Sequence, residues 1–426
     1  MEKKIDSFFS EKISIIILLL VATLTIVLTT QIYTFENMLL SDAISYISTA
    51  ENLKNYFTAP HQNALRIFPS ILVYFLKFSG ISTDNCFKYL TFILFIFLHL
   101  KTFFLLKSYK IKNYLALSAI GILFYSSHSV IYTIFNYYQL LDLITYILII
   151  YFIQLNKTYD LKILFFVSLI SILTKEYLLI LVCSTYLRYF INYNKRNTFF
   201  SFLLILIIFI IHYNLASSHT LATYENKNLL LVIISYFRHY SISSYLEFWF
   251  SIHLIIDSIN NALIVEKNIF LFMPFSLLIF SKSFIKILIK NYAITLYACV
   301  PLVFSIFLFY NVGNNFFRVF YHGYFVILIL SILFLNKITL NDDMSKILFF
   351  ISPACLLIDY IYILQNINQH GFYDFFQYER YTYFSGYYLF NLIFIFIVLK
   401  NFRNIFFKNL QTKQSQKKNN EKTSTI

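Results

Sequence analysis

The chain has 426 residues, 59% of them hydrophobic and only 13% charged, too few charges to cover the surface of a soluble protein of this size. The formal net charge of +14 comes from lysines grouped in short connections between apolar runs, which argues against a nucleic-acid partner and makes the charge a topology signal. The four cysteines (Cys86, Cys183, Cys299 and Cys355) are far apart, with neither metal nor disulfide spacing, and read as buried apolar thiols.

In chain order, residues 13–35 carry no charge between Lys12 and Glu36, and predict a retained first helix over about 13–33 after a cytoplasmic segment, 1–12. Residues 34–85 form a long outer loop. Within it, 67–76 is apolar but bracketed by Arg66 and Lys77; ten helical residues cover only about 15 Å, so this segment lies in the interface. Crossings are expected near 86–106, 114–134 and 138–156. The stretches 162–175 and 176–188 are each too short for a full span. They form either a hairpin with Lys175 and Glu176 at its outward apex, which is preferred, or one long helix with a buried Lys-Glu pair.

Later crossings fall near 197–215, 268–281, 291–310, 323–336, 346–364 and 384–400, with 216–267 hard to partition. The expected fold is thus an all-α, polytopic membrane bundle over 13–400, with about 12 spans. Both termini are expected in the cytoplasm of a bacterial inner membrane, and 401–426 reads as a disordered basic tail beside anionic lipid. Most of the 34 Lys and Arg then sit inside. Most of the 20 acids, and His61, His219, His239, His322 and His370, fall toward the outer face. Ionisable groups at membrane depth are costly and usually functional, so the outer face is the expected working face.

Asp42 follows the first span, and Ala43, Tyr46, Ile47 and Ala50 recur after it at helical spacing, giving an amphipathic interfacial helix with Asp42 at its N-terminal end. By local pattern alone Asp42 is a helix cap. Lone loop histidines such as His61, His219 and His322 read first as solvated or capping groups. The aromatic loop 372–383 reads as an interfacial belt, though its rings would also stack on sugars. With only six glycines and no Gly-rich phosphate loop, a nucleotide-driven mechanism is disfavoured.

An acid soon after the first helix in an Asp-x-x-x-Tyr register (Asp42, Tyr46) and an Arg-x-x-Pro segment (Arg66, Pro69) resemble the GT-C superfamily of multi-span glycosyltransferases. Asp142 opening the fourth span, the Lys175-Glu176 pair and Arg318 before a late span fall in the same order. The resemblance covers mainly residues 13–190, and the first loop lacks the double acid that many relatives carry. It implies a polyprenyl-phosphate-linked sugar as donor, a glycan or glycolipid acceptor such as O-antigen, and membrane lipid around the site. Asp42 would be the general base for the acceptor hydroxyl. Lys175 and Arg318, with Arg66 third, would stabilise the lipid phosphate as it leaves.

Asp142 would hold a divalent cation (magnesium or manganese) with Asp42, orient an acceptor hydroxyl, or pair structurally with Lys175. Glu176, Tyr46 and His322 would support the site. Arg318 reads alternatively as an interfacial anchor. The competing functions are an O-antigen polymerase and a transporter or flippase. The first meets a sequence poor in arginine whose large loop comes early; the second meets no internal repeat and few glycines for close packing.

Overall fold

The computed structural model describes residues 8–32, 41–57, 61–125, 130, 133–134, 140–175, 177–220, 278, 280–307, 316–338, 343–370, 385–402 and 405. Every described element is helical, with no strand among the described residues. The elements are α1 (Glu11–Ile32), α2 (Ser41–Glu51), a 3-10 turn (Leu53–Phe57), α3 (His61–Leu65), α4 (Phe68–Lys77), α5 (Thr83–Ser108), α6 (Asn113–Tyr125), α7 (Leu140–Thr158) and α8 (Leu161–Thr174). They continue with α9 (Leu178–Asn192), α10 (Lys195–Thr220), α11 (Lys282–Lys290), α12 (Tyr292–Phe307), α13 (Phe316–Ile338), α14 (Asp343–His370) and α15 (Ser385–Lys400).

Among the described residues four helices (α1, α5, α7 and α10) are long and apolar enough to cross a membrane, and a fifth is added if the bent pair α11–α12 counts as one span. Several apolar helices of this kind fit a multi-pass membrane protein. The helices α8 and α9 have 14 and 15 residues, about 21–23 Å each at 1.5 Å per residue, which is short of a full hydrocarbon thickness. Lys175 caps the end of α8 and Tyr177 the start of α9. The region 221–277, the loop 371–384 and the tail beyond 405 lie outside the described residues.

Helix α7 is the central pillar: nearly every residue from Leu140 to Asn156 is buried, because α4, α5, α8, α9 and α13 all pack on it. A helix apolar all round belongs in such an interior position. The pair α12–α13 closes most tightly at Gly323, where a Cβ would stand 2.5 Å from the Ala298 carbonyl oxygen. Likewise Gly121 of α6 meets Pro353 of α14, with a Cβ–Cβ separation that would be only 2.7 Å. Hydroxyl groups tie α1 to both: Thr25 Oγ1 lies 2.5 Å from Tyr125 Oη, and Thr29 Oγ1 lies 2.6 Å from Tyr360 Oη.

Contacts at the helix ends sort the bundle into two faces. At one end Asn113 Nδ2 donates to the Phe9 carbonyl (2.7 Å), and the Phe9 ring meets Phe350 (5.5 Å). Asn401 Nδ2 donates to Ser345 Oγ (3.0 Å), Ser281 Oγ to the Ile405 carbonyl (2.6 Å), and Lys157 Nζ to the Ser108 carbonyl (2.5 Å). Arg188 closes the circuit, reaching Tyr159 Oη (3.4 Å) and the Lys290 carbonyl (3.3 Å). These contacts gather the lysine-rich connections on one face. Its tight turns put Lys110 and Tyr159 at φ 62° and 55°.

The first-loop helices lie at the other end. There α2 packs on α4 through Ser70 Oγ, which donates to the Tyr46 carbonyl (3.1 Å), and α4 in turn touches α5, α7 and α8. His212 of α10 anchors the same loop. Its Nε2 donates to the Leu65 carbonyl (3.0 Å) while Nδ1 accepts from Tyr56 Oη (3.2 Å).

Candidate functional site

The charged cluster is built where two antiparallel helices end side by side. Asp142 stands in the first turn of α7, where the helix dipole favours a carboxylate. Lys175 is the C-cap of α8 in an extended conformation (φ −152°, ψ 132°), where the dipole favours a cation. Its ammonium donates to Asp142 Oδ1, and both side chains are almost wholly buried. Two charges removed from water in this way must compensate each other, and here the two helix ends reinforce the pairing.

His322 of α13, also fully buried, places Nε2 3.4 Å from Asp142 Oδ1 and Nδ1 2.8 Å from the hydroxyl of Tyr177. A phenol donating to Nδ1 leaves the proton of the neutral imidazole on Nε2. Tyr146, one turn after Asp142 on α7, packs its ring 5.0 Å from His322. Lys175 Nζ lies 5.2 Å from the Tyr177 ring centroid, and Tyr297 stacks on that ring at 6.3 Å. Arg66 is half-buried between α3 and α4.

Three sequence-derived candidates (Asp142, Lys175 and His322) therefore meet around Tyr177, at the end of the bundle opposite Lys157 and Arg188. Tyr46 is buried between α2 and α4, and its carbonyl rather than its phenol makes the contact with Ser70. Asp42 lies in the first turn of α2 and Arg318 in the first turn of α13, but their side chains, like the whole of Glu176, lie outside the described residues. Sequence reading missed Tyr177, Tyr146 and Tyr297. Tyr146 was legible in principle, since it stands four residues after Asp142 on one helix face. Tyr297 carries no local signal among 36 tyrosines.

The side chain of Asp42, the other residue expected to hold a divalent cation with Asp142, lies outside the described residues. An ammonium already lies against Asp142 Oδ1, and among the described residues no three His, Cys, Asp or Glu side chains converge as metal ligands. The arrangement sets a phenol, an imidazole and a carboxylate in a row, with Tyr177 and His322 2.8 Å apart, His322 and Asp142 3.4 Å apart, and Lys175 against the carboxylate. Comparison with family models, characterised proteins and solved structures finds no match for the chain.

Proposed function

We propose that the protein is a multi-pass membrane glycosyltransferase of the GT-C kind, moving a sugar from a polyprenyl-phosphate donor to an envelope glycan such as O-antigen. The observation that carries this reading is the buried Asp142–Lys175–His322 cluster at the end opposite the basic connections, roofed by the loop helix that begins beside Arg66. With the basic end in the cytoplasm by the positive-inside bias, the cluster faces the outer side of a bacterial inner membrane, where lipid-linked sugars and growing glycans meet. In this topology α8 and α9 form a hairpin with its apex outward, and crossings over the whole chain number about 12 with both termini inside.

In the reaction, the acceptor hydroxyl oxygen attacks the anomeric carbon of the donor as its proton passes to the Asp42 carboxylate. The bond from that carbon to the phosphate oxygen breaks, and its electron pair leaves with the polyprenyl phosphate. Lys175, Arg66 and Arg318 offset the growing negative charge in a site of low dielectric, where fixed cations act most strongly. Asp142 acts through Lys175, fixing the ammonium, and touches no substrate.

The test is transfer in membranes from cells lacking the gene, complemented by wild type or Asp42→Asn. The variant should insert and accumulate normally but restore no sugar to the glycan by mass analysis. Wild-type transfer by Asp42→Asn would remove Asp42 from the mechanism. A second reading, a proton-coupled transporter, is favoured by one observation: Tyr177, His322 and Asp142 form a chain of acid–base groups. That reading requires solute flux driven by a pH gradient in proteoliposomes and no change in glycan composition.

A further inference from the structure

Helix α11 departs from the bundle's main direction. It meets α12 at 103°, with Asn291 as the corner. Ser281 fixes its start: its hydroxyl accepts from the Phe284 amide (3.4 Å) and donates to the Ile405 carbonyl (2.6 Å). Arg188 fixes its end through the Lys290 carbonyl. One face is built into the bundle, with Ser283 and Phe284 buried, Phe284 against Phe334 of α13 (5.3 Å), and Ile287 and Leu288 packed on the core.

The opposite face carries two stripes at helical spacing. Lys282, Lys286 and Lys290 form one, all exposed. Ile285 and Ile289 form the other, and Ile289 is 66% exposed, as is the neighbouring Phe280 at 77%. Apolar groups next to ammonium groups at the rim of a membrane bundle match one environment: the boundary where acyl chains meet charged headgroups. Two described carboxylates of this end are engaged elsewhere. Asp160 caps α8 by accepting from the Lys162 and Ile163 amides, and Asp343 lies 3.4 Å from Lys346.

We infer that α11 is an interfacial helix that seats anionic phospholipid headgroups on Lys282, Lys286 and Lys290 while Ile285 and Ile289 enter the acyl boundary of the same leaflet. A lysine near an anionic leaflet is drawn to it electrostatically, and three on a rigid helix act together within a Debye length. This surface is independent of the glycosyl-transfer reading. It secures the corner at Asn291, from which α12 runs on to meet Gly323 at Ala298 and Leu302.

The full chain is placed in nanodiscs of phosphatidylcholine alone or mixed with phosphatidylglycerol, and its thermal unfolding is followed. The anionic lipid should raise Tm for the wild type, and added salt should reduce the rise. The Lys282→Gln/Lys286→Gln/Lys290→Gln variant should lose most of it while keeping the wild-type Tm in phosphatidylcholine; Lys→Arg at the same positions should restore it. In a Trp249→Phe background, Ile289→Trp should be quenched by lipids brominated near the headgroup. An equal phosphatidylglycerol response in the Gln variant, an unquenched tryptophan, or the same Tm rise from inorganic phosphate in detergent would each overturn the inference.

Discussion

Lys175 Nζ meets Asp142 Oδ1 across 33 residues of sequence, and both groups are sealed from solvent at adjoining helix ends. Removing one partner strands the other as a buried charge, at a cost of about 3–5 kcal/mol. Asp142→Asn and Lys175→Met should each lower the Tm of the purified protein sharply. The double variant should recover much of the loss, since it removes both charges. Additive losses would mean that the two side chains are not energetically coupled.

Gly323 gives a steric prediction that bears on the site. An added methyl group would stand 2.5 Å from the Ala298 carbonyl oxygen and 3.0 Å from Leu302 Cγ, so α12 and α13 must separate. Gly323→Ala should cost about 1–3 kcal/mol, a typical penalty for overpacking. Because His322 precedes it on α13, transfer activity should fall by more than the stability loss explains. Gly121→Ala, pressed on Pro353 and remote from His322 in sequence, should lower stability with a smaller effect on transfer. Equal activity losses in the two variants would separate the α13 register from the site.

The same contrast shows what a sequence can and cannot disclose here. Predominantly apolar runs fix α1, α5 and α7 to within a few residues because hydrocarbon thickness sets a length that composition must meet. Asp142 and Lys175 stand out individually, since an ionisable residue in an apolar stretch needs a reason. Their pairing is hidden, because it depends on α7 and α8 running antiparallel with ends in register. Tyr177 and Tyr297 are hidden more deeply: in a chain with 36 tyrosines an aromatic residue carries no contrast, and only the packing of α9, α12 and α13 selects these two. The 103° corner at Asn291 is equally silent, as the lysines of α11 fit a loop as well as an interfacial helix.

Docking of the first loop should depend on His212. Tyr56→Phe removes one hydrogen bond to Nδ1, at about 1 kcal/mol, whereas His212→Ala also leaves the buried Leu65 carbonyl without its donor. Amide exchange over residues 53–65 should therefore quicken modestly in the first variant and strongly in the second. Burial raises the Tyr56 phenol from 10.0 to about 12, so it remains a donor at neutral pH. The native state holds this proton longer than the unfolded chain, so its contribution is complete below pH 10 and is lost as pH rises from 10 toward 12. Tyr56→Phe should flatten that alkaline decline.

Opposite placement of the basic connections and the Asp142 cluster is open to direct labelling. Ser108 lies at the basic end, where its carbonyl accepts from Lys157, and Lys54 is exposed in the first-loop layer near Tyr56. Cys299 is exposed, so single-cysteine variants require a background with the four native cysteines replaced. Ser108→Cys, which keeps the side-chain shape, should react with a membrane-impermeant maleimide only after the cells are opened. Lys54→Cys should react in intact cells once the reagent has passed the outer layer. The reverse pattern would put Lys175 and Arg66 on the cytoplasmic face, where the lysine-rich end no longer follows the positive-inside bias and an outer-face glycan acceptor is out of reach. Labelling of both positions from one side would contradict the placement of the first loop and the Lys157–Ser108 contact at opposite ends of the bundle.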